Sequence, residues 1–201
     1  GHSNTTNNHH AVNIGLFNTS GGVGNGTWSI GYQNTNQGDR GVAIGTLNTI
    51  PTGAGFNNIA IGYGNTSNNA GGYGCYSIGY NLNNQGAWGF LAGVNSTIGA
   101  SVNGGGAAIG NSNDLTAVSG GYGNYVIGYN NDVTGTAYGC FATGMNNVIN
   151  GTSPLGAGVA IGNANTVSGT NAGYFTMALG YGNAASGTGA TAIGLNATRT
   201  S

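Results

Sequence analysis

Chemistry in this chain would have to come from very few side chains, because its whole charge inventory is Asp39, Asp114, Asp132, Arg40 and Arg199, with three histidines besides. Asp114 and Asp132 are the one suggestive pair. Each stands four residues after a recurring glycine, Gly110 and Gly128. Stacked one strand apart at ~5 Å, two carboxylates could share a proton, hold a cation or act as a glycosidase pair. Neither has a cationic or His partner nearby in sequence, and Asp standing in for Asn on a solvated turn explains them equally well. They remain the only metal candidates. No catalytic residue and no cofactor is assigned. His9-His10 lacks a neighbouring Cys, Asp or Glu to complete a metal site. The Gly-Tyr-Gly runs are not phosphate loops, since the chain has no lysine.

Cys75 and Cys140 occupy equivalent places, in Tyr73-Gly74-Cys75-Tyr76 and Tyr138-Gly139-Cys140-Phe141. Four repeats separate them, ~19 Å along a stack, whereas a disulfide needs Cα atoms within about 7 Å. They are either buried thiols or bridges between chains. Tyr32, Tyr63, Tyr80, Tyr129 and Tyr181 each follow a recurring glycine and form either a corner ladder or an exposed platform for sugar rings or a second copy. Asn4, Asn18, Asn25, Asn65, Asn95, Asn150 and Asn196 begin glycosylation sequons.

These residues must be positioned by a repeat. Val159-Ala160-Ile161-Gly162 recurs as Val42-Ala43-Ile44-Gly45, Ile59-Ala60-Ile61-Gly62 and Ala107-Ala108-Ile109-Gly110. Twelve copies can be anchored on Gly15, Gly31, Gly45, Gly62, Gly79, Gly93, Gly110, Gly128, Gly144, Gly162, Gly180 and Gly194, at steps of 14–18 residues. Before each anchor the residues run large-small-large, the period-two pattern of a strand with one bulky and one flat face. The bulky face is expected inward, with Ile14, Ile30, Ile44, Ile61, Ile78, Ile109, Ile127, Ile161, Leu179 and Ile193 as a core ladder. Three residues after the anchor stands Asn18, Asn34, Asn48, Asn65, Asn113, Asn131, Asn147, Asn165 or Asn183, read as a turn ladder because Asn tolerates left-handed backbone. A weaker strand follows, as in Val118-Ser119-Gly120, Val133-Thr134-Gly135, Val167-Ser168-Gly169 and Ala185-Ser186-Gly187.

One such unit cannot bury its apolar face, but twelve stacked in parallel can. The expectation is therefore an all-β protein: a parallel β-solenoid, or β-roll, of about twelve coils of 14–18 residues, ~55–60 Å long. Residues 11–201 form its single domain. Residues 1–10, polar and carrying His2, His9 and His10, read as a tail or an arm laid on a neighbouring subunit.

Asn183-Ala184-Ala185-Ser186-Gly187-Thr188-Gly189-Ala190-Thr191-Ala192-Ile193-Gly194, with its small-Ala-Ile-Gly strand and a step near fourteen, resembles the YadA-like head repeats of trimeric autotransporter adhesins. Similar repeats occur in phage fibre proteins. The resemblance implies a left-handed roll, trimerisation and a role in adhesion or display. The family's neck, coiled-coil stalk and membrane barrel have no counterpart here.

Composition narrows the task. Glycine supplies 44 residues and charged side chains 2 %. Two arginines cannot make the several phosphate contacts that duplex binding needs, so nucleic acid is excluded. No apolar run reaches ~18 residues, so no membrane-spanning helix is expected. A chain starting at Gly1 reads as a processed or excised segment, and the lysine-free, Asn/Thr-rich composition suggests an extracellular or cell-surface setting. Low charge favours association, and no capping unit is evident, so copies are expected to stack head-to-tail. The flat Ala/Ser face offers a lateral contact as well. The preferred reading is a non-enzymatic, self-assembling subunit of a filament or surface fibre. The alternative is a trimeric adhesin or phage-fibre head that binds a host surface, matrix or carbohydrate. A minor alternative is ice binding, for which Asn-Thr recurs but a Thr-x-Thr ladder does not.

Overall fold

The computed structural model describes residues 2–7, 9–22, 26–69, 73–100, 104–117, 123–135, 138–151, 156–169 and 175–200. Among them there is no helix, and the strands form two parallel sheets. A front sheet of twelve strands runs from Val12–Leu16 to Thr191–Leu195, and a back sheet of thirteen runs from Thr5–Thr6 to Thr198–Thr200. Strand order in both follows the chain, each coil adding one strand to each sheet. The parallel β-solenoid of about twelve coils is borne out. Register sets anchor on anchor, as in Gly15↔Gly31, Gly45↔Gly62 and Gly110↔Gly128. Val133-Thr134-Gly135 and Val167-Ser168-Gly169 lie in back strands Asp132–Gly135 and Thr166–Gly169, and Ala185 and Ser186 in Ala184–Ser186. Val118-Ser119-Gly120 lies outside the described residues.

The anchor glycine is fixed by sterics. Gly128 has φ +128°, which L side chains rarely adopt, and a Cβ there would meet the Gly144 carbonyl oxygen of the next coil at 2.0 Å. Two residues later comes the left-handed turn, at Leu47 (φ 58°), Asn130 (φ 51°) and Ala164 (φ 55°) for example. The recurrent Asn one place further on is therefore not the left-handed residue. It points inward and is wholly buried, so the expected turn ladder is an interior amide ladder. Asn147 Nδ2 donates to Thr143 O of its own coil at 3.1 Å and to Gly162 O of the next at 2.9 Å. Its Oδ1 accepts the backbone N–H of Asn165 at 3.1 Å. Asn18, Asn34, Asn48, Asn65, Asn113, Asn131, Asn165 and Asn183 likewise each donate to the carbonyl four residues back and to the next anchor's carbonyl. Such pairing removes the cost of burying an amide in every coil. Leu82 interrupts the ladder and Ser96 resumes it, its Oγ accepting the N–H of Asn113 at 3.0 Å.

The expected core ladder is overturned. Ile14, Ile78, Ile109, Ile127, Ile161 and Ile193 are exposed, and Ile30, Ile44, Ile61 and Leu179 are only half-buried. The small residue between the two large ones is the one that points in: Ala43, Ala60, Ala108, Ala142, Ala160 and Ala178 are fully buried. The reason is thickness. Sheets that face each other ~10 Å apart leave room for one layer of interdigitating side chains. Ala43, Ala108, Ala142 and Ala160 in the front sheet are accompanied by Ile50, Leu115, Ile149 and Val167 in the back sheet, all with at most 2 % exposure. This apolar core is continuous from Leu82 to Ala192, with a smaller cluster of Ala43, Ile50, Ala54 and Ala60. Elsewhere in the N-terminal half the interior is polar. Ser20 and Ser29 share a hydrogen bond of 2.8 Å, as do Ser67 and Ser77.

Residues 2–7, within the segment expected as a tail or arm, also depart from expectation. Thr5–Thr6 pairs in parallel with Thr19–Ser20, and Asn4 Oδ1 accepts the Asn18 N–H at 2.9 Å. This segment lies on the chain's own first coil rather than as a tail or an arm on a neighbour.

Candidate assembly surface

Turning the bulky residues outward gives the front sheet a largely apolar outer face, interrupted by Thr46, Asn111, Thr143, Asn163 and Thr191. Three columns form it, one on each side of the Ile column: Val12, Trp28, Ile59, Tyr76 and Phe90 stand before it, and Leu16, Tyr32, Tyr63, Tyr80 and Tyr129 after it. Trp28 is 52 % exposed and Leu195 71 %. No charged side chain lies in the front strands. Twelve strands of five residues cover ~55–60 Å by ~16 Å, about 900 Å².

Of the five tyrosines expected as a ladder, one adjacent pair stacks. Tyr63 and Tyr80 have ring centroids 5.1 Å apart and lie nearly parallel, at 8°. Tyr73 and Trp88 stack at 5.3 Å on the neighbouring loop ridge, and Phe17 meets Tyr32 edge-on. In the Tyr63–Tyr80 pair the two rings cover each other's inner faces. The back sheet's outer surface carries Thr19, Thr35, Thr49 and Thr66 in register, a single column broken at Asn83.

The other sequence candidates fall as follows. Asp114 and Asp132 are register partners on adjacent back strands, half-buried, and one oxygen of each is buried without a hydrogen-bond partner. Burial raises both carboxyls above the usual range. The Asp114 charge adds to the rise at Asp132, and the Thr116 hydroxyl draws Asp114 partly back. Groups of three or more His, Cys, Asp or Glu able to hold a metal ion are absent among the described residues. The raised values fix a sign. A carboxyl whose folded pKa lies above its unfolded one favours folding when neutral, and that contribution is lost as pH rises through the folded value. Asp132→Asn is therefore expected to stabilise the fold at pH 7, by up to about 1 kcal/mol because both groups are partly solvent-screened. The gain should vanish by about pH 3, as read by urea unfolding at the two pH values.

Cys75 and Cys140 are free thiols, 0 % and 1 % exposed. The expected alternative of a bridge between chains is overturned, because neither sulfur reaches the surface. Burial pushes the Cys75 thiol up to about 12 and raises that of Cys140, so neither forms a reactive thiolate. Their backbone N–H groups donate to Asn58 and Asn124 Oδ1, each at 2.8 Å, a second set of inward amides that the anchor-based reading missed. Of the sequon asparagines, Asn18 and Asn65 are fully buried and cannot accept a glycan in the folded chain. Asn4 is half-buried and donates to Gly15 O at 3.0 Å, while Asn95, Asn150 and Asn196 are exposed. Asn25 lies outside the described residues.

No helix among the described residues is long and apolar enough to cross a membrane. No family model, curated protein or solved structure matches the chain.

Proposed function

We propose that this is a non-enzymatic, extracellular structural protein that assembles with copies of itself through the outer face of its front sheet. One observation carries the reading: a charge-free, largely apolar face, on a sheet with an outline of about 900 Å², that no other part of the described chain covers. Joined to the same face of a second copy it buries about 1,800 Å² in total, the size of a standard stable interface. Burial of aromatic and branched side chains is the main driving force for such contacts. The lateral contact is thus made by the bulky face, because the Ala/Ser face expected to serve is inside the coil.

Two copies would meet this face across a two-fold axis, and three would close it around a central axis. The resemblance of the repeats to YadA-like heads favours three, with the Ile column innermost, and a fibre or adhesive head as the finished object. Sedimentation of the purified chain reads the number directly. The expected result is an assembly of two or more 19.7-kDa chains that the double variant Ile109→Asp/Ile127→Asp reduces to monomers with unchanged circular dichroism. A native chain that sediments as a monomer at ~50 µM, well above the Kd such an area usually gives, overturns the reading.

A further inference from the structure

Two features on opposite sides of the front sheet coincide at one joint between coils. Outside, Tyr63 and Tyr80 end the neighbouring strands Ile59–Tyr63 and Tyr76–Tyr80 and are register partners. Inside, the apolar core is interrupted at the same joint: one cluster reaches Ala60 and the next begins at Leu82. Between them the buried positions include Ser67, Cys75 and Ser77, the two hydroxyls bonding each other at 2.8 Å. We propose that Tyr63 and Tyr80 form an oxidative coupling site, where a one-electron oxidant from outside the chain joins the two phenol rings into a dityrosine that staples the coils across this gap. The site lies on the face proposed for self-association, but both rings belong to one chain and the coupling needs no second copy.

The geometry favours this pair over the other tyrosines. The ring centroids are 5.1 Å apart and the planes within 8° of parallel. The two residues are 44 % and 50 % exposed, open to a diffusing oxidant. Thr46 stands before Tyr63 in the column and Val94 after Tyr80. These shorter side chains leave each ring room to turn about its Cβ–Cγ bond and bring its edge to its neighbour. Tyr32, Tyr129 and Tyr181 stand in the same column, and none has a tyrosine as register partner. On the loop ridge Tyr73 stacks on Trp88, which has no phenol to contribute. The chain has no lysine, so cross-links that begin from a side-chain amine are closed to it, and both its thiols are buried.

The step balances as follows. Each phenol gives one electron to the oxidant and its hydroxyl proton to water, which leaves a phenoxyl radical. The two radicals form one carbon–carbon bond between positions ortho to their oxygens. The hydrogen on each bonded carbon then moves to oxygen and restores both phenols. The net loss is two electrons and two protons, which reduce one hydrogen peroxide to two waters when a peroxidase is the oxidant. The link closes a loop one coil long. A cross-link of this kind stabilises by restricting the unfolded chain. In a stack whose stability sums over neighbouring coils, it acts on the joint it crosses.

The test treats the purified chain, diluted until copies are apart, with a peroxidase and limiting hydrogen peroxide. The expected product runs as a single chain on denaturing electrophoresis and fluoresces as dityrosine. Its digest contains the peptides carrying Tyr63 and Tyr80 joined, at their summed mass less two hydrogens. Tyr80→Phe keeps the ring and removes the phenol oxygen, and it should take this product to background, while Tyr129→Phe leaves the yield unchanged. The coupled chain should unfold at a higher urea concentration than the untreated one, a rise that treated Tyr80→Phe lacks. Coupling through other tyrosines, products only between chains, or oxidised tyrosine without the joined peptide each overturn the inference, and so does a coupled chain whose urea midpoint does not move. The yield should be the same in Ile109→Asp/Ile127→Asp, which separates a failure here from a failure of the assembly.

Discussion

Gly128→Ala should be among the most damaging single-methyl changes in the molecule, costing about 4 kcal/mol or more in urea unfolding. Two penalties coincide there. At φ +128° an alanine is strained before it meets any neighbour, and its Cβ would lie 2.0 Å from the Gly144 carbonyl oxygen and 3.1 Å from Asn131 Nδ2. The carbonyl cannot retreat, because Asn131 Nδ2 holds it at 3.0 Å. Relief would require parting the coils, which breaks the front ladder between Tyr125–Tyr129 and Phe141–Met145. Gly123→Ala is the matched control. It also has positive φ, +65°, but nothing lies within 4 Å of its added methyl. It should cost about 1 kcal/mol, the backbone term alone. A further signature separates the two. Solenoid stability is close to a sum over neighbouring coils, so a defect between coils divides the stack. Gly128→Ala should unfold in two steps, while the control unfolds as the native chain does. A Gly128→Ala loss below about 1.5 kcal/mol would mean that the coils slide apart freely.

The architecture was legible because its constraints are local and repeat. A glycine that must admit a neighbouring carbonyl and an Asn that must bond it recur in every coil, and their spacing gave both the coil number and the register. The inward face was misjudged because alternation reveals two faces without saying which is closed. The habit of placing Ile inside decided for the wrong one. The better signal was the spread of volumes. The residue three before the anchor ranges from Ala107 to Trp28, which no closed core column accommodates. The residue two before it stays small, and where it grows, at Leu91 and Val126, the interior is in the apolar half. The Asn column misled in a related way. A turn position tolerates Gly, Asn, Gln, Leu and Phe, and the true left-handed position holds all of these. A position held by amide in nine coils of twelve signals a bonding pattern instead. The Asp pair was placed correctly as stacked neighbours, but what surrounds its buried oxygens is a tertiary property with no sequence counterpart.

That amide column carries the second large expected effect. Asn147→Ala should destabilise the chain by about 3 kcal/mol or more, because it strips partners from several buried groups at once. Gly162 O loses a donor at 2.9 Å, Thr143 O one at 3.1 Å, and the Asn165 N–H its acceptor at 3.1 Å. Water has no route in, since Asn147 is fully buried and the Asn131 and Asn165 side chains on either side of it are buried too. Leu82 shows why the loss depends on neighbours rather than on the column itself. It replaces the amide, yet its N–H still takes Asn65 Oδ1 at 3.0 Å and its side chain starts the apolar core. Asn147 sits instead between two asparagines that both bond it: Asn131 Oδ1 accepts its Nδ2 at 2.9 Å, and its own Oδ1 accepts Asn165 Nδ2 at 3.0 Å. A double-mutant cycle distinguishes a ladder from a row of independent bonds. If the amides act as a chain, Asn147→Ala and Asn165→Ala together should cost at least about 1 kcal/mol less than the sum of the two alone, because the second deletion removes groups that the first had already orphaned. Strict additivity would show that each coil satisfies its own amide, and that the asparagines hold the turns one by one rather than tying coil to coil.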